Sequence, residues 1–354
     1  MKCPTIRTCL AAAAMLATAA VASPSAQAAP ITLKYSTMES QNGPFAQCFV
    51  LPFLDRLEKQ SGGRLHVQRY MGGTAFANPL LQYQQVAQGV MDISQGVLSY
   101  TPGQFALTEV ATMPFLVDDA KVAAIAINRL APKFLGQEFK DIHLLAILVT
   151  PPLYVNLRGD ETSLFALKDK RIRATGVGAT NLLRGLGVTP VAMPAPAIYE
   201  NLQKGVIDGA LAEYTALKAF RIGEVTHTHI MANVTSALLF IGMSKASYAA
   251  LPADLKKYID TNFSGPAVGA GAAACWENVG AGVAAKLKSQ GHKFVAFSAA
   301  DRAKAAPIAR KVTDDYIAGL EAKGKKAREF YDALVAEMAK VKAEQAKQAK
   351  QAKQ

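Results

Sequence analysis

The chain has 354 residues, enough for two domains with separate cores, and carries a formal net charge of +12 with 51% hydrophobic residues. The basic excess suits an anionic guest or a polyanionic surface. It is not a nucleic-acid signature, because no basic cluster is interleaved with aromatic residues. No Gly-x-Ser-x-Gly elbow, His-Glu-x-x-His pair or phosphate loop is present, so the sequence offers no catalytic residue and no cofactor motif.

Residues 1–28 read as a secretory signal peptide. Lys2 and Arg7 precede the apolar run Leu10 to Val21, and Ala26-Gln27-Ala28 is a small-x-small cleavage site. The run is too short to span a bilayer, so a mature, exported chain is expected from Ala29. Two cysteines remain, Cys48 and Cys275. An oxidising compartment permits a bridge between them; two separate buried thiols are the expectation.

Ile31 to Ser36 alternates apolar and polar residues and reads as the first strand. The loop Thr37 to Gly43 sits at its carboxyl end, which makes Glu39 and Asn42 pocket candidates. Pro44 suits the start of an amphipathic helix marked by Phe45, Phe49, Phe53, Leu54 and Leu57, with Pro52 inside it as a possible kink. Leu65 to Tyr70 is a second strand. Asn78-Pro79 opens a helix that ends at Gly89, and Val90 to Ser94 reads as a strand. The loop Ser99 to Gly103 follows, placing Tyr100 at a strand end, where its phenol can stack and donate a hydrogen bond. Asp118 to Leu135 reads as a helix and His143 to Val149 as a buried strand.

Pro151-Pro152 interrupts before a strand from Leu153 to Leu157. Alternation puts Tyr154, Asn156 and Arg158 on one face. From Lys170 to Tyr214 the order is strand, helix, strand, helix, strand, the grammar of a parallel sheet. Ligands bind outside the carboxyl ends of such strands. Arg173 sits at one such end; Glu213 and Tyr214 lie past another. Gly89-Val90-Met91-Asp92-Ile93 echoes Gly205-Val206-Ile207-Asp208-Gly209, 116 positions later, which points to two similarly wired domains.

His227 and His229 share a strand face, yet only Glu224 lies near enough to assist, so no metal site is expected. Ser236 to Met243 is an apolar strand returning to the first domain. Gly265 to Gln290 is a long helix of small residues holding Cys275 and the single tryptophan, Trp276. Ala299 to Ala339 reads as largely helical. Residues 336–354 form a Lys/Ala/Gln tail, and its low-complexity end, Ala343 to Gln354, is expected to fray or be disordered.

The stretch from Lys170 to Gly209 resembles the extracytoplasmic solute-binding subunits of TRAP (tripartite ATP-independent periplasmic) transporters. Arg171-Ile172-Arg173, Gly187 to Pro194, Ile198 to Gln203 and Gly205 to Gly209 carry the resemblance. After Asp208-Gly209 the chain departs from the family pattern, with Ala210-Leu211-Ala212-Glu213-Tyr214 where many members have Gln-Glu-Asn-Pro. The resemblance implies an α/β, two-lobed periplasmic binding protein fold, each lobe a sheet flanked by helices, with one long helix spanning both. Lobe I would comprise 29–153 plus 240–270, and lobe II 154–239 plus 271–335.

It also implies a non-enzymatic role: capture of a small organic acid and delivery to TRAP membrane subunits by a monomer, with no cofactor. By position, Arg173 would clamp the ligand carboxylate. Tyr100, Tyr154, Tyr214, Glu213, Glu39, Asn156 and Arg158 are the further ligand-binding candidates. If the three tyrosines all line the cleft, an aromatic or bulky acid fits better than a C4 dicarboxylate. The alternatives are a sensor component feeding a receptor kinase and, less favoured, an exported enzyme.

Overall fold

The computed structural model describes residues 29–351; the expected signal peptide, residues 1–28, lies outside them. The strands are β1 (Ile31–Thr37), β2 (Leu65–Tyr70), β3 (Ile93–Val97), β4 (Ile142–Val149), β5 (Leu153–Leu157), β6 (Arg171–Ala174), β7 (Thr189–Ala192), β8 (Gly209–Ala212), β9 (Thr228–Thr235), β10 (Leu238–Ser244) and β11 (Lys293–Ala296). They form two sheets, ordered β2-β1-β3-β10-β4 and β11-β9-β5-β8-β6-β7. The strand–helix units pair in parallel, as their alternation with helices dictates. β5 and β10 run antiparallel to their neighbours, and each begins just after the chain crosses from one sheet to the other.

Side chains alternate across each sheet, and both faces are covered. In β10, Leu238 and Phe240 join one core with Ile147 and Val149, while Leu239, Ile241 and Met243 join the opposite core with Leu33, Tyr35 and Leu148. The second sheet repeats the arrangement: Ile172 and Leu211 face one core, Ala210 and Ala212 the other.

The sequence echo marks the same joint in both sheets. Asp92 accepts the Lys34 amide of β1 at 2.7 Å, and Asp208 accepts the Arg171 amide of β6 at 2.8 Å. Each aspartate also donates its own amide to the carbonyl of the residue it caps, Lys34 or Arg171. The glycine that closes the preceding turn has positive φ in both, 73° at Gly89 and 70° at Gly205.

Helix Pro266–Ser289 spans the two layers. Val268, Ala272, Cys275 and Trp276 are buried with the first sheet, Val283 and Leu287 with the second. Cys48 and Cys275 form a disulfide with Cα atoms 5.9 Å apart, within the usual reach of such a bond. This corrects the expectation of two separate thiols. A separation of 227 residues hides a proximity that packing creates, since Phe45 stacks on Trp276 with ring centroids 3.8 Å apart.

Three further departures have physical causes. The first helix begins as a π-helical turn, Ala46–Val50, before Leu51–Gln60, so Pro52 falls in the first turn of the α-helix, where its missing N–H is tolerated. Helix Ala327–Gln351 runs on through Ala343 to Gln351, where fraying was expected. Phe330, Leu334, Met338 and Val341 recur at helical spacing and are buried against the first sheet's core. Lys342 pairs with Asp118 at 2.9 Å, and Arg129 with Glu337 and Glu344 at 2.8 and 2.9 Å. Finally, Ile317, Leu320, Phe330 and Leu334 belong to the first sheet's core, although the expected division placed 271–335 with the second. Among the described residues no helix is long and apolar enough to cross a membrane.

Candidate functional site

Arg173 organises the site. It is the third residue of β6, so β7 and β8 flank it and its side chain leaves the sheet near the carboxyl ends of three parallel strands. It is only 3% exposed. Nε donates to the Met193 carbonyl, Nη1 to the Leu211 carbonyl and Nη2 to the Tyr100 hydroxyl, each at 3.0 Å. Three of the five guanidinium N–H groups are thereby engaged, leaving one on each terminal nitrogen. Among the described residues no carboxylate lies within ion-pair distance of it, whereas Arg171, two residues earlier, is paired with Asp208 and bonded to the Gly205 carbonyl. A buried guanidinium with one N–H group to spare on each terminal nitrogen can donate charged hydrogen bonds to a carboxylate.

Tyr100 reaches Arg173 from the other layer. Its hydroxyl accepts from Arg173 and also from the Ala195 amide at 2.8 Å. Its lone pairs are occupied, which leaves its proton to donate. Two more contacts join the layers beside it. The Ser99 and Thr175 hydroxyls lie 2.6 Å apart, and the Glu109 carboxylate accepts the Val177 amide at 3.2 Å. Burial pushes the Glu109 carboxyl up to about 6. Gly178 permits this approach, because a side chain there would collide with the Thr112 carbonyl.

A cavity lies between the layers, with Arg173 and Tyr100 in its wall. Met38, Glu39, Phe45, Val97, Leu239 and Trp276 line it from the first layer, and Ile198, Leu211, Glu213 and Phe220 from the second. The space open to water centres is about 60 Å³, room for several waters at roughly 10–15 Å³ each. The walls are mostly apolar, and the Phe45–Trp276 stack supplies an aromatic face.

Glu39 is 7% exposed, and burial followed by the nearby Glu213 charge pushes its carboxyl up to about 7. Among the described residues that carboxyl has no hydrogen-bond partner, and its backbone carbonyl accepts the Gly72 amide at 2.7 Å. Any side chain at Gly72 would strike the Met38 and Ser40 backbone, so the loop holding Glu39 has a fixed seat. Glu213 also lines the cavity, but its carboxylate caps helix Tyr214–Ala219, accepting the Thr215 and Ala216 amides at 2.5 and 2.8 Å and the Thr215 hydroxyl at 2.5 Å. Burial raises its pKa and those hydrogen bonds oppose the rise.

Of the residues expected from sequence, Arg173, Tyr100, Glu39 and Glu213 meet at this cavity. Tyr154, Tyr214, Asn156 and Arg158 do not line it. β5 is antiparallel to β8, pairing Tyr154 with Ala212 and Leu157 with Gly209, so moving from 154 to 158 leads away from the cavity end. Arg158 is exposed beyond the strand. The Asn156 amide nitrogen donates to the carbonyls of Tyr154, Ala210 and Ala212, and its oxygen lies 2.7 Å from His229 Nδ1. Tyr214 is the first residue of its helix; its ring packs on Tyr154 at 4.9 Å, and its hydroxyl reaches the Met231 sulfur at 3.1 Å. Asn42 is exposed. Sequence reasoning missed Phe45, Phe220 and Trp276; a lone tryptophan on a helix otherwise built of small residues was the available signal.

A solute-binding architecture is what two sheets enclosing a buried, unpaired arginine define. Residues 35–319 match the family model DctP, bacterial extracellular solute-binding protein, family 7, and the chain belongs to that family, whose members bind solutes and are not enzymes. It is 28% identical to a TRAP solute-binding protein from Rhodoferax ferrireducens T118 crystallised with copurified benzoate, with a TM-score of 0.85 covering 88% of this chain and 99% of that one. A marine metagenome TRAP solute-binding protein described as specific for aromatic acid ligands, bound to 3-hydroxybenzoate, matches at 25% identity and TM-score 0.84 with the same coverage. A protein of Comamonas testosteroni named outer membrane transporter protein TsaT is 24% identical over 337 residues, 93% of this chain and 97% of its own length.

Proposed function

We propose that this protein binds a small aromatic carboxylate outside the cytoplasm and delivers it to the membrane subunits of a TRAP transporter. The observation that carries the reading is Arg173, buried, without an acidic partner, and holding two unused N–H groups beside an apolar cavity. A carboxylate would take those two N–H groups, and the Tyr100 proton would add a third contact. The ring would lie among Phe45, Trp276, Ile198 and Phe220. The aromatic acids bound by two relatives at 25–28% identity favour this guest.

The guest enters and leaves by hinge motion at the two crossovers, residues 150–152 and 236–237, which separate β4 from β5 and β9 from β10. Opening must break the Tyr100–Arg173, Ser99–Thr175 and Glu109–Val177 contacts; a guest bridging both layers favours the closed arrangement by its differential affinity. The membrane subunits would read that arrangement. Residues 1–28 would direct export and be removed.

Native mass spectrometry of the exported protein, followed by calorimetry with benzoate, tests this. An aromatic acid should co-purify, and Arg173→Ala should weaken benzoate binding by about 100-fold or more, since stranding a carboxylate in a dry site costs several kcal/mol. Unchanged affinity in that variant, with its fold intact, sinks the reading.

A further inference from the structure

The cavity holds two kinds of unfinished polar business, and only one is explained by a carboxylate at Arg173. Apart from Tyr100 and the indole N–H of Trp276, which are donors, the other polar side chains in its wall are committed. Glu213 caps a helix, Thr150 donates to the Pro151 carbonyl and accepts the Ala237 amide, Thr175 is paired with Ser99, and Thr215 with Glu213. Glu39 is the wall's acidic exception: more than nine-tenths buried, lining the cavity, with no partner for its carboxyl among the described residues. Its charged neighbour is Glu213, so this part of the wall is acidic, in contrast to the part around Arg173.

We infer that Glu39 is a specificity-determining residue that reads a hydroxyl group on the ring of an aromatic monocarboxylate, and that with Glu213 it rejects a second carboxylate. This rests on the proposed function. A buried carboxyl with no partner is costly, and a guest that supplies one recovers that cost. A phenolic hydroxyl suits it in either protonation state, donating to the carboxylate or accepting from the carboxylic acid. Unsubstituted benzoate leaves Glu39 unpaired. A dicarboxylate would bring a third carboxyl against Glu39 and Glu213 without a cation beside them, a repulsive arrangement. The seat of Glu39 is rigid, because its carbonyl is tied to the Gly72 amide and that glycine cannot carry a side chain without displacing the loop. Discrimination therefore does not need the loop to rearrange.

Calorimetric titration with benzoate, 3-hydroxybenzoate, 4-hydroxybenzoate and isophthalate tests this on the wild type and on Glu39→Leu and Glu39→Gln. The wild type should bind at least one hydroxybenzoate about 10-fold or more tighter than benzoate, and isophthalate weakest. Glu39→Leu should erase the hydroxyl preference while keeping or improving benzoate affinity. Glu39→Gln, neutral and still able to hydrogen-bond, should keep the preference and gain isophthalate binding. The wild-type measurement needs no variant: benzoate bound as tightly as both hydroxybenzoates overturns the inference and leaves the functional reading standing. The same preference in Glu39→Leu as in the wild type also overturns it. A wild type that binds none of the four acids overturns the inference together with the functional reading.

Discussion

The Tyr100 hydroxyl lies 3.0 Å from Arg173 Nη2 and 2.8 Å from the Ala195 amide, so one side chain of the first layer completes the surroundings of the second layer's buried cation. Tyr100→Phe removes that acceptor and the donor proton while keeping the ring. Benzoate affinity should fall by about 10-fold or more, at roughly 1–3 kcal/mol for each group left unpaired. Most of the loss should appear as faster dissociation, which stopped-flow fluorescence of Trp276 would measure.

Arg173→Lys tests geometry separately from charge. A lysine keeps the cation but loses the planar pair of donors and the contacts to the Met193 and Leu211 carbonyls. Benzoate binding should weaken by at least about 10-fold with circular dichroism unchanged. Affinity equal to the wild type would show that a point charge suffices.

Breaking the Cys48–Cys275 link should lower stability without abolishing the fold. The bridge closes a loop of 227 residues, and removing such a bond typically costs about 2–5 kcal/mol. Urea denaturation of the Cys48→Ala/Cys275→Ala double variant checks this against the oxidised wild type.

Acid should destabilise the protein through His229. The Asn156 amide nitrogen donates to three carbonyls, so its oxygen accepts from His229 Nδ1, and His229 Nε2 is left to accept from His292 Nδ1 at 3.0 Å. Burial first, then the neighbouring His292 and His227, push the His229 pKa down to about 4. A histidine with a depressed native pKa stabilises the fold above its ordinary pKa near 6.5, and that contribution is lost as the pH falls toward 4. Denaturation at pH 7, 5.5 and 4 should show wild type losing up to about 3 kcal/mol relative to His229→Gln across that window. A constant difference between the two would remove His229 as the cause.

Deleting residues 340–354 should cost stability despite their low complexity. Val341 is 1% exposed and Lys342 reaches Asp118. Burying one such side chain is worth about 1.5–3 kcal/mol, while the exposed ion pairs add little. A thermal midpoint unchanged by the deletion would mean the helix is not seated there in solution.

The wiring of the second sheet was legible because glycines, prolines and apolar runs each punctuate locally. Arg171 to Gly209 carries its strand order on its face, and the repeated Gly-Val-x-Asp joint proves to be the same amide-capping arrangement twice. Arg173 was legible because strand position and residue type together place a cation at a carboxyl end. What failed was direction. Tyr154, Asn156 and Arg158 were placed by alternation alone, but the antiparallel sense of β5, a long-range property, carries Asn156 and Arg158 away from the cavity, and at the cavity end it is Leu153 that lines it instead of Tyr154. Tyr214 lies elsewhere for a smaller reason: β8 runs to Ala212, so Glu213 caps the next helix and Tyr214 begins it, its ring against Tyr154. The tail from Ala343 was misread because its composition hides that it continues a helix already seated through Phe330, Leu334, Met338 and Val341.

The cystine sits three positions beyond Phe45 and immediately before Trp276, the two rings that floor the cavity. It holds together two segments that meet only in the finished fold. The bridge therefore limits how far the two rings of that floor can part. Redox conditions at the birth of each molecule, more than the concentration of its solute, would decide whether it matures into a stiff receptor or a pliant one.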